Sequence, residues 1–184
     1  MRKLAIHNKL WFFVFAIIIA LLCTYSARVF ALEEKALSYS KNAIYFEGFG
    51  QGLLYSINYD YRLRQNLGVR FGISHWSLSP VFLAMTGNIN FTAFPIMLNR
   101  FFGKGKHLLE LGVGVLPAEL KVDKVTDFFG KEYNKTTDIL LGTATIGYRY
   151  QPLIKGWLFR VGLTPFFTLD TLTTSFGISL GYAF

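Results

Sequence analysis

Cysteine is almost missing: the 184-residue chain holds one, Cys23, inside its first apolar run. A single thiol cannot form an internal disulfide, so a disulfide scaffold and a cysteine-based metal cluster are both excluded. Charge is thin as well, at 16% of residues, and acids are the rarer sign, 11 against 19 bases. Only three histidines occur, and His107 has no partner at metal-ligand spacing, so no cofactor or metal is expected. Beyond residue 23 no apolar stretch approaches the roughly 20 residues that a membrane-spanning helix needs. A helical membrane bundle is thereby excluded, although the chain is 52% hydrophobic and 17% aromatic.

The start of the chain accounts for the long apolar run. Arg2, Lys3 and Lys9 form a basic opening, Leu10 to Cys23 is uncharged, and Val29-Phe30-Ala31 offers a cleavage site. Residues 1–31 therefore read as a secretory signal peptide, their apolar run being shorter than a spanning helix. A lipid anchor at Cys23 is the lesser alternative, because Leu22 is larger than such sites prefer. Arg2, Lys3, Lys9 and Arg28 would leave with the signal and no acid would, which halves the formal net charge of +8. Basicity is then poor evidence for nucleic-acid binding, and none is expected. Residues 32–42 read as a polar periplasmic tether and 43–184 as one domain.

Within 43–184 the pattern has period two, in which successive side chains take opposite faces of a strand. Tyr55, Ile57, Tyr59 and Tyr61 alternate with Ser56, Asn58, Asp60 and Arg62, and Leu67, Val69, Phe71 and Ile73 with Gly68, Arg70, Gly72 and Ser74. The ending is the most regular: Phe176, Ile178, Leu180, Tyr182 and Phe184 oppose only Gly177, Ser179, Gly181 and Ala183. An apolar face set against small residues fits lipid outside and a crowded lumen inside. Eight strands are predicted: Ala43–Gly50, Leu53–Leu63, Leu67–Trp76, Asn90–Phe102 with a bulge at Pro95, His107–Leu116, Asp138–Tyr150, Trp157–Phe167 and the final one. Gly50-Gln51-Gly52 is read as a tight turn. The expected fold is an eight-stranded antiparallel up-and-down transmembrane β-barrel in the outer membrane, both termini periplasmic. Residues 77–89 and 117–137 are expected as its long outward loops.

Two residue sets stand out. Tyr59, Tyr61, Phe102, Tyr148, Tyr150, Trp157, Phe159, Tyr182 and Phe184 fall near the periplasmic rim of that topology and form an expected aromatic girdle. Glu47, Asp60, Arg62, Arg70, Glu110, Arg149 and Arg160 all take the inward phase, and no ionisable residue of the strands is assigned to lipid. Such charges are destabilising in a narrow lumen unless paired, so a network is expected, with the inward glycines making room for the long arginines. The interior of so small a barrel is expected to be filled rather than open. His75 and Ser77, two apart near the outer end of the third strand, are similar to the His-x-Ser of lipid A deacylase barrels, but no orienting carboxylate is identifiable and no catalytic residue is assigned.

Four segments carry a family resemblance: Gly103-Lys-Gly-Lys-His107, Ile146-Gly-Tyr-Arg-Tyr-Gln-Pro152, Phe159-Arg-Val-Gly-Leu-Thr-Pro165 and Gly177-Ile-Ser-Leu-Gly-Tyr-Ala-Phe184. With them the chain resembles the small outer-membrane β-barrel proteins of Gram-negative bacteria. The resemblance implies fold and compartment, with outer-membrane lipid and lipopolysaccharide as surroundings. It further implies a barrel-insertion machinery that reads the strand ending at Phe184. A monomer with a structural, adhesive or surface-interaction role is expected. Transport of small or hydrophobic compounds, guided by Val81-Phe82-Leu83-Ala84-Met85, is the alternative, and lipid A modification a second one.

Overall fold

A computed structural model describes residues 39–79, 86–126, 132–168 and 171–184. The signal peptide, most of the tether and the Val81–Met85 segment lie outside the described residues. Nine strand segments run in chain order: β1 (Asn42–Phe49), β2 (Tyr55–Arg64), β3 (Leu67–Leu78), β4 (Thr86–Ala93), β5 (Ile96–Phe102), β6 (His107–Thr126), β7 (Glu132–Tyr150), β8 (Gly156–Phe167) and β9 (Leu172–Ala183). All pairings are antiparallel, and β9 returns to pair with β1 from Ala43↔Ala183 to Phe49↔Gly177, closing the sheet into a barrel.

The nine segments make eight staves, because β4 and β5 are two halves of one. Both pair with β3 on one side and β6 on the other. The break falls at Phe94–Pro95, where a bulge was expected. Proline has no N–H to give the ladder, yet its neighbours keep the wall sealed: Gly72 donates to the Pro95 carbonyl at 2.8 Å and Phe94 to that of Pro117 at 2.9 Å. Inside a membrane this sealing matters, since an unpaired backbone group has no water to turn to.

The period-two pattern sorts the side chains as the alternation predicts. On β9, Phe176, Ile178 and Leu180 are about half exposed on the outside, while Ser179 and Ala183 are buried inside. No helix among the described residues is long and apolar enough to cross a membrane, so strands alone carry the apolar outer face. Arg100 corrects the assignment of every strand charge to the lumen. It pairs with Leu67 and Leu111 on the outer face, its guanidinium 5.7 Å from the Phe102 ring. The outward alternation of Phe94, Ile96 and Leu98 runs unbroken through Pro95 and continues to Arg100 and Phe102.

The end opposite the termini also departs from expectation. Residues 117–126 and 132–137, expected as loop, continue β6 and β7, which stay paired as far as Thr126↔Glu132. Scattered Lys and Asp made this stretch look like loop, but Ala118, Leu120 and Val122 alternate with Glu119, Lys121 and Asp123 within it. The connections at 127–131 and 168–171 are consequently no longer than the turn at 151–155, and the height of that end comes from strands. The wall rises unevenly. β1 and β2 stop at Gly48↔Tyr55, whereas β3, β4, β6 and β7 continue as a raised sheet. Among the described residues β7 has no second partner over 132–141, since β8 stops at Gly142↔Phe167.

A charge placed midway along the apolar face of β9 reports on this arrangement. Ile178→Arg should weaken folding into lipid vesicles by about 2–4 kcal/mol, measured by equilibrium denaturant unfolding. Ser179→Ala, one residue on but inward, should lose less than half of that.

Candidate functional site

The barrel interior is layered. At the end carrying the termini Ala43, Tyr45, Leu158 and Ala183 form a small buried apolar cluster. Toward the opposite end Phe91, Ala93, Leu116, Ala118 and Phe166 form a larger one, with Trp76, Leu120, Ile139 and Leu141 against it. Between these layers lie the ionisable side chains, and the low polarity around them strengthens both their attraction and the penalty for leaving any of them alone.

Glu110 on β6 is the hub. Its Oε1 accepts from Arg70 Nη2 at 2.5 Å and Arg160 Nη2 at 3.0 Å, and its Oε2 from Arg160 Nε at 2.9 Å and Arg149 Nη1 at 3.4 Å. The Arg160 contact is bidentate, the geometry in which a guanidinium holds a carboxylate best. Asp60 on β2 accepts from Arg149 Nη1 and, at 2.9 Å, from the Tyr45 hydroxyl. Glu47 on β1 accepts from Arg160 Nη1 at 3.2 Å and Ser179 at 3.4 Å. Arg62 has no carboxylate partner among the described residues. Its Nη2 donates at 3.0 Å to Gln151 Oε1, which also takes Arg149 Nε at 2.8 Å, and its guanidinium sits 4.6 Å from the Phe101 ring. All seven sequence-selected residues are thus joined in one set, four cations with three anions, each of them at least nine-tenths buried.

The hairpin tip between β1 and β2 is the part that sequence reasoning missed. Gly50–Gly52 forms a short 3₁₀ turn that is buried, not a surface turn. Gln51 is fully enclosed: its Nε2 donates to Thr145 Oγ1 at 3.2 Å, and its Oε1 accepts from Arg70 Nη1 at 2.9 Å. The carbonyl of Gly52 takes Ser74 Oγ at 3.1 Å and Trp76 Nε1 at 3.0 Å. Phe49 and Leu53 flank the tip with φ of 61° and 64°, a backbone region that favours glycine and is tolerated here because these contacts fix the turn. A polar residue between two glycines carries no sign that it points inward. Tyr45, by contrast, was available from its i, i+2 spacing to Glu47.

The glycines also serve differently from expectation. A side chain at Gly177 would meet Gly50 Cα at 3.2 Å and Glu47 Oε1 at 3.1 Å, and one at Gly72 would meet Pro95 Cγ at 2.6 Å. Inward glycines therefore admit the hairpin tip and neighbouring strand residues, rather than the arginines alone. Among the described residues one small void of about 10 Å³ is bounded by Glu47, Thr145, Arg160, Gly162, Thr164 and Gly177. That is room for about one water.

The other selected residues lie on the outer wall. Tyr59, Tyr61, Phe102, Tyr148, Trp157, Phe159, Tyr182 and Phe184 are exposed there, Tyr150 is half-buried against His107, and all come from the strand ends nearest the termini. His107 opens β6, with Nδ1 2.7 Å from the Tyr148 hydroxyl. His75 and Ser77 face outward, and His75 Nδ1 sits 2.9 Å from Thr92 Oγ1 with no ion pair among the described residues. Trp76 turns inward and stacks on Phe91 at 5.0 Å.

No protein-family model and no curated protein matches the chain. In fold it is similar to the N-terminal β-barrel domain of Pseudomonas aeruginosa OprF, with a TM-score of 0.54 at 15% identity over 79% of this chain and 99% of that one. Lower-scoring likenesses are to Ail of Yersinia pestis, 0.48 at 13% over 80% and 98%, and to Neisserial surface protein A, 0.46 at 13% over 77% and 92%. The chain has the fold of the small outer-membrane β-barrels.

Glu110→Gln keeps the shape of the hub and removes its charge, leaving three guanidiniums without their shared anion. Equilibrium urea unfolding in lipid should show a loss of about 3–5 kcal/mol, against about 1 kcal/mol for Tyr45→Phe. Equal stability of Glu110→Gln and the native protein would remove Glu110 from its central place.

Proposed function

We propose that the chain is an integral outer-membrane β-barrel with both termini periplasmic, whose lumen is closed by its own side chains and whose role is structural or surface-interacting. The observation that carries this reading is the interior: a seven-residue ionic set, each member at least nine-tenths buried, bonded to the fully enclosed Gln51. A conducting pore needs a continuous wet path, and a ring of salt bridges under a seated hairpin tip offers none. Catalysis has no comparable support, because His75 faces away from the lumen and its partner is the Thr92 hydroxyl.

The raised sheet is the element suited to surface contact. β6 and β7 present Glu119, Lys121, Asp123, Lys135 and Asp138 to solvent, and Lys121 pairs with Asp123 at 3.4 Å. Alternating charges keep this sheet soluble while its inner face rests on the Trp76 and Phe91 cluster. A likeness in fold carries no partner with it.

Planar-bilayer recording tests the closed lumen. The native protein should insert without discrete conductance steps. Regular stepwise openings of the native protein would overturn the filled-lumen reading and restore transport as the leading alternative.

A further inference from the structure

Charge is divided between the two ends of the barrel. Bases gather at the end bearing the termini: Lys41 before β1, Arg64 closing β2, Arg100 near the end of β5, Lys104 and Lys106 in the turn after it, and Lys155 in the turn before β8. No Asp or Glu side chain lies at that end among the described residues. The carboxylates that are described are either sealed in the lumen, at Glu47, Asp60 and Glu110, or placed on the raised sheet at the far end, where lysines offset them.

These bases sit where lipid headgroups would be. The girdle residues Tyr59, Tyr148, Trp157 and Tyr182 ring the same end from the outside, with Trp157 67% exposed. In the turn before it, Ile154 is 65% exposed and lies beside Lys155, an apolar side chain and a cation presented together. Amphipathic rings favour the boundary between acyl chains and headgroups, and a cation just beyond them lies at the level of the phosphates. Arg100 makes the same point from the wall itself, since its outward phase sets a guanidinium over Phe102 within the girdle.

We infer that this basic rim is a docking surface for the headgroups of anionic phospholipids, phosphatidylglycerol in type, in the leaflet it faces. The inference rests on the membrane-barrel reading above and adds to it a lipid preference and the residues that set it. Zwitterionic headgroups carry a compensating ammonium and gain less from six fixed cations, so the rim discriminates by net headgroup charge. Each rim cation contributes roughly fivefold to partition at an anionic surface, and the effect is screened when the Debye length falls to about 3 Å near 1 M salt.

The full-length protein is folded into nanodiscs of equal phosphatidylglycerol and phosphatidylcholine, then extracted and weighed by native mass spectrometry with its retained lipid. Retained phosphatidylglycerol should exceed phosphatidylcholine at least fivefold at low salt and approach parity at high salt. The combined variant Lys41→Gln, Lys104→Gln, Lys106→Gln and Lys155→Gln should abolish the excess, whereas Lys121→Gln with Lys135→Gln on the raised sheet should leave it intact. Equal retention of both lipids by the native protein, or an undiminished excess in the four-site variant, overturns the inference. A folded barrel shifts its gel mobility on heating, so failure of the membrane-barrel reading shows separately, as loss of that shift in every lipid tested.

Discussion

The pairing of β1 with β9 is the constraint on which everything else depends. A sheet crossing hydrocarbon cannot leave an edge, because each unpaired N–H or C=O there is strongly unfavourable. Closing after eight staves satisfies the backbone but fixes a narrow interior. Whatever faces inward must then fit and be satisfied by its neighbours. The alternation of large outward residues with Gly, Ser and Ala on β9 follows from that geometry: a second layer of large side chains would not close.

Closure also explains how so much charge is tolerated inside. Four guanidiniums and three carboxylates are held within reach of one another by six strands, β1, β2, β3, β6, β7 and β8, and no two strands alone could satisfy them. The Tyr45 ring lies 4.9 Å from Arg160, 5.6 Å from Arg70 and 5.9 Å from Arg149, so its π-face supplements the shortage of anions while its hydroxyl serves Asp60. Such a network is weak evidence for net stability, since desolvation offsets much of the attraction. Its clearer effect is on register, because a slip of one residue would send Glu110, Arg149 and Arg160 into lipid.

The barrel itself was legible in the sequence because period two survives in every stave, and a pattern repeated along the chain outweighs any single irregularity. The inward phase of Glu47, Asp60, Arg70, Glu110, Arg149 and Arg160 was legible for the same reason. What was missed lay where composition misleads. Arg100 was readable from the phase of Phe94, Ile96 and Leu98, which runs through Pro95 without a slip, and was overlooked because a charge on the outer face runs against the composition of the other staves. Polar residues between 117 and 137 satisfied solvent on one side of a strand, which in composition is indistinguishable from a loop. Gln51 was beyond reach because its orientation depends on partners in β3 and β7, a relation between distant segments that no local window contains.

That dependence has a kinetic consequence. Arg70, Thr145 and Gly177, which receive the tip, stand 19, 94 and well over a hundred positions from it along the chain. The contacts to β3 lie within the first three strands, whereas those to Thr145 and Gly177 require β7 and β9 to be in place, a long loop to close. The full seating of the tip therefore depends on the closed cylinder, as a latch depends on a shut door, and the left-handed torsions at Phe49 and Leu53 are held by contacts from both near and distant strands. A glutamine at a hairpin tip thus ties three separate staves together from within.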